Sequence, residues 1–343
     1  MVRVQKITLA HGAGGRETSE IIESFFVRKF RIKKVSSGFG LDELEDSSTI
    51  PLPDGNYLAI TVDSYTVNPI FFPGGNIGKL AATGTLNDLA VMGAKPIAAM
   101  DSMVVEEGFE IKLLDEIVSS MREILEKYGV ALIGGDFKVM PKGQLDKIVI
   151  TMAGLGIIPK DRLISDYNIK PGDKIVITGT IGEHGAAILT AQSGIGVEDQ
   201  SILSDCAPII EAMETAFEIG GIHAAKDPTR GGLAMALNEW AKKSKLTIIV
   251  KEENIPLREN VKAYCEMLGV DPLTLASEGR ALIAISPEKA EELVDALRSK
   301  GYKDAAIIGE AKKGREGYVL LETITGGLRI IETPVGEVVP RIC

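Results

Sequence analysis

The sequence predicts two α/β domains followed by an extended C-terminal tail. Its 343 residues exceed the usual size of a single domain. Strand-like apolar runs alternate with helical periodicity along most of the chain, as in α/β proteins. A polar stretch at 159–172, with a proline near each end, separates two such sets. We therefore expect domains at 1–158 and 159–332 and a tail at 333–343.

The elements of the first predicted domain follow from local patterns. A glycine-rich turn at 11–15 runs into a helical pattern. Strand-like runs occur at three places: 57–62, 97–104 and 148–158. Helical periodicity covers 77–92 and 113–128, and the first of these helices is expected to stop at Gly93, with Pro96 beyond it.

The second predicted domain begins with a strand at 174–178. Its other predicted elements are helices at 186–193, 233–243 and 287–300 and strands at 246–250 and 281–285. In the last segment, Pro334 and Pro340 oppose helix formation, so the tail is expected to be extended.

Composition and charge exclude several classes of protein. The formal charge of −10 and the pI of about 5.1 argue against a nucleic-acid partner, which usually needs a basic face. No stretch of 18 apolar residues predicts a membrane span, and the N-terminus lacks the features of a signal peptide. The three cysteines match neither a zinc site nor a disulfide framework. These features favour a cytoplasmic protein.

Standard nucleotide-binding motifs are missing from the sequence. The run 74–80 has the wrong spacing for a Walker A loop, and the glycines at 12–15 do not complete a dinucleotide fingerprint. Two glycine-rich turns, at 12–15 and 227–232, nevertheless precede helical patterns, where free backbone amides favour anions. For either turn alone, an ordinary tight turn is the more frequent explanation.

Four aspartates occupy positions from which they could hold metal-bound phosphates. Asp46 precedes a turn, Asp63 closes a strand, Asp88 lies beside Asn87 in a helix, and Asp136 follows the strand end ALIGG. Mg²⁺ prefers such oxygen ligands and shares them with bound triphosphates. For any one of these aspartates alone, turn formation or capping is the more frequent role.

The histidines give no metal-binding spacing, and a structural role is predicted for His184 and His223. Among the cysteines, Cys206 is expected at a loop-to-helix junction beside Pro208 and Cys265 in a helix that faces the core, so only Cys343, at the end of the tail, is expected to be both exposed and mobile. About ten extended residues span ~33 Å, enough to carry a thiol between two sites. The alternative is a chance cysteine at a tolerant chain end.

Taken together, the motifs resemble the HypE family of hydrogenase maturation proteins, which are thiocarbamate dehydratases. The matching runs are HGAGG (11–15), the segment 63–96, GGDFKV (134–139), SDCAP (204–208), DPTRGGLAMALNE (227–239), SEGR (277–280) and PRIC (340–343). The terminal PRIC is the most specific of them. The NDLAVMGAKP and DPTRGG runs are shared with a wider ATP-dependent superfamily that includes selenophosphate synthetase and thiamine monophosphate kinase.

The resemblance implies two domains of the AIR-synthetase-like (PurM-like) fold, with mixed sheets flanked by helices. It implies a homodimer that pairs through the N-terminal sheets, with ATP beside the interface. It also implies ATP and Mg²⁺ as cofactors, with Asp46, Asp63, Asp88 and Asp136 as metal and nucleotide ligands. Asn87 is expected in the same nucleotide site.

The implied reaction takes place on Cys343. A carbamoyl group is loaded by the carbamoyltransferase HypF, and ATP then activates its amide oxygen. Loss of phosphate and protons leaves a thiocyanate, whose cyanide passes to iron held by the HypC–HypD complex, for [NiFe] hydrogenase. Glu278 is the candidate general base, and Lys138 is the candidate for stabilising charge on the oxygen.

The tail must move for this reaction. It is expected to be exposed for loading and then to fold inward, with Val338, Val339 and Ile342 as apolar contacts. Arg341 and the terminal carboxylate act on the Cys343 thiol in opposite directions, so no strongly lowered pKa is expected.

Two other functions remain open at this point. A selenophosphate-synthetase-like phosphotransferase usually carries a reactive cysteine or selenocysteine near its N-terminal glycine-rich loop, whereas the first cysteine here is Cys206. A non-catalytic nucleotide-binding scaffold would not need the four aspartates and Cys343 together.

Overall fold

A computed structural model describes residues 6–194, 202–336, 339 and 341–343. Val338 and Pro340, which belong to the predicted apolar contact and to the PRIC run, lie outside these residues. The described part of the chain forms two large sheets from separate stretches of sequence, with helices packed on them.

The described residues of the N-terminal half form seven strands. They are β1 (Ser48–Pro51), β2 (Tyr57–Tyr65), β3 (Phe71–Phe72), β4 (Gly75–Asn76), β5 (Lys95–Glu106), β6 (Ala131–Met140) and β7 (Ile148–Ile158). Five of these strands form a sheet in the order β1-β2-β7-β5-β6, antiparallel except between β5 and β6, while β3 and β4 pair separately. The predicted strands in this half are thus confirmed.

Helices cover one face of this sheet. They are α2 (Ile77–Val91) and α3 (Ile111–Lys127). A further helix, α1 (Arg16–Ile21), continues into a π-helical turn (Ile22–Val27) and precedes the sheet in the chain. Strand β7 alternates between buried and half-buried residues, because every second side chain from Ile148 onward packs towards α2 and α3. The side chain of Asn76 caps α2 by accepting hydrogen bonds from two backbone amides, each at 3.0 Å.

The opposite face of this sheet is open in the single chain and partly apolar. Val62 is 61% exposed and Met100 is 44% exposed, and both side chains project from this face. On the edge strand β6, Ile133 is 60% exposed. Contiguous exposed apolar surface of this kind is typical of protein–protein contacts.

The C-terminal half contains a seven-stranded sheet. Its strands are β8 (Lys174–Ile177), β9 (Ile222–Lys226), β10 (Thr247–Lys251), β11 (Leu282–Ile285), β12 (Ala306–Lys312), β13 (Tyr318–Glu322) and β14 (Leu328–Ile330). Their order is β14-β13-β10-β12-β8-β11-β9, and β10 and β13 form its parallel pair. The predicted strands β8, β10 and β11 are confirmed, whereas short β9 and β14 carry too little alternation to be recognised.

In the part of this half that the structure describes there are five helices: α4 (Glu183–Ser193), α5 (Ile210–Ile219), α6 (Gly232–Ser244), α7 (Glu259–Leu268) and α8 (Pro287–Ser299). Helix α6 packs on one face of the central strands, while α5 and α8 pack on the other. Strand β11 is therefore buried throughout. The predicted division of the chain at residues 158 and 332 stays a prediction.

One local prediction is wrong. Asp136 was expected to follow a strand, but β6 continues through it to Met140, because Phe137 and Val139 keep pairing with β5. No helix among the described residues is long and apolar enough to cross a membrane.

Candidate functional site

The two glycine-rich turns meet where the N-terminal segment reaches the C-terminal half. Gly14 has a φ of +78°, and a Cβ atom on it would lie 2.3 Å from Cβ of Arg230. Gly231, with a φ of +77°, precedes the first turn of α6. Both positions therefore need glycine. A cleft of about 180 Å³ lies between the turns and is also lined by Asp46 and Asp227.

A cluster of carboxylates lies at this junction. Among the predicted aspartates, Asp46 and Asp63 are both close enough to Asp88 to raise its pKa. Two further acidic residues complete the cluster: Asp227 in the second glycine-rich turn and Glu278 in the loop before β11. Asp88 also accepts a hydrogen bond of 2.6 Å from the hydroxyl of Thr61.

Burial and mutual repulsion raise the pKa of these groups. The pKa of Asp88 lies well above its usual value because of burial, and then because of Asp227, Asp63 and Asp46. Burial and the neighbouring Asp46 raise the pKa of Asp227 to about 8. The pKa of Glu278 is also raised well above its ordinary value, first by burial and then by Asp227. Such a cluster is electrostatically suited to a cation.

Three buried oxygens of the cluster have no hydrogen-bond partner among the described residues: Oδ2 of Asp46, Oδ2 of Asp227 and Oε1 of Glu278. Unsatisfied buried oxygens are costly and require an explanation. Within the described ranges, no three His, Cys, Asp or Glu side chains lie close enough together to hold a metal ion by themselves. Carboxylate oxygens are the ligands that Mg²⁺ prefers, and at this cluster a phosphate would have to supply the remaining oxygen ligands.

Lys226 fixes the position of Asp46. Its buried ammonium group lies 2.8 Å from Asp46, 3.3 Å from Glu239 and 3.6 Å from Asp166. Burial alone would lower the pKa of Lys226, but these carboxylates raise it well above its usual value. Lys226 therefore stays charged, and it leaves the second oxygen of Asp46 free.

The loop that carries Glu278 is braced on both sides. Its backbone amide donates to Oδ1 of Asp205 at 3.1 Å, and its carbonyl accepts from Nδ2 of Asn87 at 3.0 Å. Oδ1 of Asn87 in turn accepts from the amide of Ile209 at 3.0 Å. Asn87 is fully buried, and both its polar atoms are engaged with the backbone. Asn87 therefore braces the loop that carries Glu278, and its expected contact with nucleotide stays a prediction.

The tail is folded inward onto the carboxylate cluster. Ile342 and Val339 are buried, and Cys343 is partly buried. Burial raises the pKa of the Cys343 thiol to about 12, with Arg230 acting in the opposite direction. Glu278 also raises this pKa, so its side chain lies within electrostatic range of the thiol. The expectation that this pKa would not be strongly lowered agrees with the structure.

Arg341 does not act on the thiol as the sequence suggested. Its guanidinium donates to the carbonyl of Thr66 at 2.8 Å and also pairs with Asp146. Arg230 is instead the cation that acts to lower the pKa of the Cys343 thiol. Cys343 is in turn the main cause of the raised pKa of Arg230. Chain order could not reveal this, because Arg230 lies more than a hundred positions before the thiol.

Asp136 and Lys138 lie apart from the cluster in the single chain. Strand register pairs Asp136 with Ser102 and Lys138 with Val104, on the open face of the sheet. Asp63 pairs with the buried Met152 and so points to the helix-covered face. Asp136 and Lys138 form an exposed ion pair with each other, at 2.8 Å. Their predicted roles stay predictions, which the single chain cannot fulfil by itself.

Sequence reasoning missed several residues of this site. Asp227 and Arg230 stand within the DPTRGG run, whose glycines predict a tight turn, but nothing in the run indicates the roles of these two charged residues. The role of His184 was predicted to be structural, and both its ring nitrogens are indeed hydrogen-bonded in the interior. Cys265 is buried, as predicted, and Cys206 is buried as well.

Comparisons with known proteins cover nearly the whole chain. The family model "AIR synthase related protein, N-terminal domain" matches residues 44–158, and the corresponding C-terminal domain matches residues 170–322. A putative hydrogenase expression/formation protein of Methanocaldococcus jannaschii is 47% identical over 340 residues, which are 98% of this chain and 100% of that protein. The carbamoyl dehydratase HypE of Rhodobacter capsulatus is 40% identical, with 100% of this chain and 99% of that protein covered.

Solved structures give the same result. A HypE–HypF complex contains a chain with a TM-score of 0.84 and 40% identity, covering 92% of this chain and 99% of that one. HypE in complex with ATP has a TM-score of 0.80 and 38% identity, covering 98% and 100% of the two chains. Thiamine monophosphate kinase from Aquifex aeolicus, at 19% identity and a TM-score of 0.62, covers 81% and 91% and shares the fold.

Proposed function

The chain belongs to the AIR synthase related proteins and, among them, to the HypE family of hydrogenase maturation proteins, and on this premise we propose that it is an ATP-dependent carbamoyl dehydratase acting on its own Cys343. One observation carries the proposal beyond the family. The Cys343 thiol lies within electrostatic range of Glu278, Asp63 and Arg230, and the main-chain oxygen of Cys343 accepts a hydrogen bond from the amide of Thr66 at 2.9 Å.

The proposed reaction removes the elements of water from a thiocarbamate. The group Cys343–S–C(=O)–NH₂ and ATP give Cys343–S–C≡N, ADP and inorganic phosphate. The carbonyl oxygen leaves in the phosphate, and both N–H protons leave the nitrogen. An amide oxygen is a poor leaving group, and phosphorylation makes it a good one.

Glu278 is the proposed acceptor of an N–H proton. Its Oε1 has no hydrogen-bond partner among the described residues, and the Asn87 and Asp205 contacts fix its backbone. Mg²⁺ held by Asp46, Asp63, Asp88 and Asp227 would offset the repulsion in the cluster, which favours an ionised Glu278. A carboxylate in that state can act as a general base. Arg230, on the same side, suits the negative charge of the departing oxygen.

The thiol itself must be loaded while the tail is undocked. With a pKa of about 12 in the docked position, the thiolate fraction at neutral pH is on the order of 10⁻⁵. A carbamoyltransferase of the HypF type is the proposed donor, and the solved HypE–HypF complex supports it. Once loaded, the sulfur no longer ionises, so the tail can return to its buried position.

We further propose a homodimer formed through the open face of the N-terminal sheet. The exposed apolar residues on this face, with Val62 as an example, support it. Asp136 and Lys138 project from the same face and would then reach the cleft of the partner subunit. Mixing inactive Asp88→Asn and Lys138→Ala subunits should restore about a quarter of wild-type activity, because half the dimers would contain one intact site. No restoration, with subunit exchange verified, would contradict this arrangement.

The remaining proposals rest on the family alone. The cyanide of the Cys343 thiocyanate would pass to iron in the HypC–HypD complex, for the [NiFe] hydrogenase active site. The cytoplasm is the proposed location, because its reducing conditions keep three free cysteines reduced.

One experiment separates this function from the phosphotransferase and scaffold alternatives. ATP consumption is measured with unloaded protein, with protein carbamoylated by the HypF-type partner, and with selenide. We expect consumption only in the loaded protein, and none with Cys343→Ser. Consumption driven by selenide would favour the phosphotransferase, and no consumption under any condition would favour the scaffold.

A further inference from the structure

We propose that His184 and Thr66 form a receptor for the end of the chain, and that this receptor positions Cys343 for dehydration. The inference rests on the proposed function for its catalytic consequence. The receptor itself consists of hydrogen bonds from His184 to Ile342 and from Thr66 to Cys343.

His184 holds the residue before the thiol. Its Nε2 lies 2.8 Å from the carbonyl oxygen of Ile342, and its Nδ1 lies 2.7 Å from the hydroxyl of Ser204. A carbonyl can only accept a hydrogen bond, so Nε2 carries the proton and Nδ1 accepts from Ser204. The ring is fully buried, with its edge against the ring of Phe72 at a centroid distance of 5.4 Å.

The state of this imidazole is fixed by its surroundings. Burial lowers the pKa of His184 to about 4, so the ring stays neutral under ordinary conditions. The Ser204 hydroxyl also accepts from the amide of Cys206 at 3.1 Å, which leaves its own proton for Nδ1. The chain from Cys206 to Ser204 to His184 thus selects the tautomer that donates to Ile342.

Thr66 holds the other side of the terminal residue. Its backbone amide and its hydroxyl donate to the main-chain oxygen of Cys343, at 2.9 and 3.0 Å. This oxygen therefore accepts two hydrogen bonds from one residue, one from its backbone and one from its side chain. Two residues before Cys343, the carbonyl of Arg341 accepts a hydrogen bond from the amide of Asn68 at 3.0 Å.

Fixing the backbone on both sides of Cys343 limits the directions in which its side chain can point. His184 and Thr66 are not proposed to touch the reacting atoms, so both are positioning residues. The contacts are few and non-covalent, which allows the tail to leave for loading and to return afterwards. A receptor that fixes this oxygen also predicts sensitivity to an added residue after Cys343, because the addition must be accommodated beside Thr66.

The first test is the accessibility of the thiol in nucleotide-free protein. Alkylation by iodoacetamide is followed by peptide mass mapping, with buried Cys206 and Cys265 as internal controls. His184→Phe keeps the aromatic packing but has no donor, and should raise the alkylation rate of Cys343 about tenfold. His184→Gln can still donate from a comparable position and should remain near the wild-type rate. His223→Phe, which changes a histidine that pairs with Asp173 elsewhere, is the matched control.

The second test is catalytic. In single-turnover experiments with preloaded protein, His184→Phe should slow nitrile formation about tenfold, while the Kd for ATP changes less than about twofold. Thr66→Val and a single glycine added after Cys343 should act in the same direction. The added glycine changes only the end of the tail and leaves His184 in place, so it tests the receptor even where His184→Phe fails to fold.

The outcomes distinguish the receptor from the proposed function. Equal alkylation rates in wild type, His184→Phe and the glycine-extended chain would overturn the receptor, whatever the chemistry. Faster alkylation in these variants, in a protein that forms no nitrile, would support the receptor and reject the proposed function. A slower nitrile step in His184→Phe that His184→Gln does not restore would count against positioning by hydrogen bonding.

Discussion

Replacing Asp227 by asparagine should stabilise the ligand-free protein while it impairs activity. The carboxyl of Asp227 is 5% exposed, and its Oδ2 has no hydrogen-bond partner among the described residues. Its pKa is raised from 3.8 to about 8, first by burial and then by Asp46. The folded protein therefore retains a proton at neutral pH that the unfolded chain releases. Asparagine resembles the protonated carboxyl and titrates in neither state.

The magnitude follows from linkage between protonation and folding. A group whose pKa rises on folding makes the fold less stable as pH increases from the unfolded to the folded value. With values of 3.8 and about 8, the cost is about 2 kcal/mol at pH 5.5 and about 4 kcal/mol at pH 7. These are upper limits, because the neighbouring carboxylates share the protons of the cluster. We expect Asp227→Asn to gain about 1–4 kcal/mol at pH 7.

The assay is urea unfolding at pH 5.5, 7 and 8.5 with EDTA and without nucleotide. The gain of Asp227→Asn over wild type should increase with pH, while its ATP turnover on loaded protein falls at least about tenfold. Asp166 is the matched control, because it is equally buried but accepts from Trp240 at 2.6 Å and from Lys243 at 2.8 Å. Asp166→Asn should destabilise the fold by about 2 kcal/mol or more. If Asp227→Asn is destabilising to a similar degree, the electrostatic account of the cluster is wrong.

Three further predictions concern the metal, the base and the assembly. Asp88→Asn should lower ATP turnover at least about tenfold, since it removes one charge from the ligand set; unchanged turnover would reject that assignment. Glu278→Gln should leave ATP binding nearly intact but slow nitrile formation from loaded protein, because an amide does not accept the proton, and Lys138→Ala should slow the same step; a normal rate would put these roles elsewhere. Val62→Glu should convert dimers to monomers in light scattering at micromolar concentration, whereas Ile111→Glu on an exposed helix end should not; a monomeric wild type would contradict the dimer.

Much of the fold could be predicted because periodicity is a local property. The 3.6-residue pattern of α2 and the continuous apolar run of β7 were readable from sequence, and both were located to within a residue or two. The end of β6 was placed too early, because the two glycines before Asp136 resemble a turn. The pairing with β5 extends that strand, and pairing between distant segments is not visible in a local pattern.

The site was predicted only in part, because contacts between distant segments are not visible in a local pattern. Asp63 and Asp88 were recognised within their motifs, but the role of Arg230 depends on a contact with a chain end far along the sequence. The strand register that separates Asp136 and Lys138 from Asp63 is likewise a property of the assembled sheet. Residue types and motifs therefore indicate the kind of chemistry, while only the tertiary structure determines which side chains share one cleft.

The central claim is that Cys343 carries the group that is transformed, and intact-protein and peptide mass spectrometry tests it most directly. After incubation with the carbamoyl-loading partner, the C-terminal peptide should gain ~43 Da, the mass of a carbamoyl group replacing hydrogen, and ATP with Mg²⁺ should then remove ~18 Da as water. Cys343→Ala should show neither change and should keep its fold. Modification on Cys206 or Cys265 instead, or a carbamoyl group on Cys343 that ATP leaves unchanged, would contradict the account.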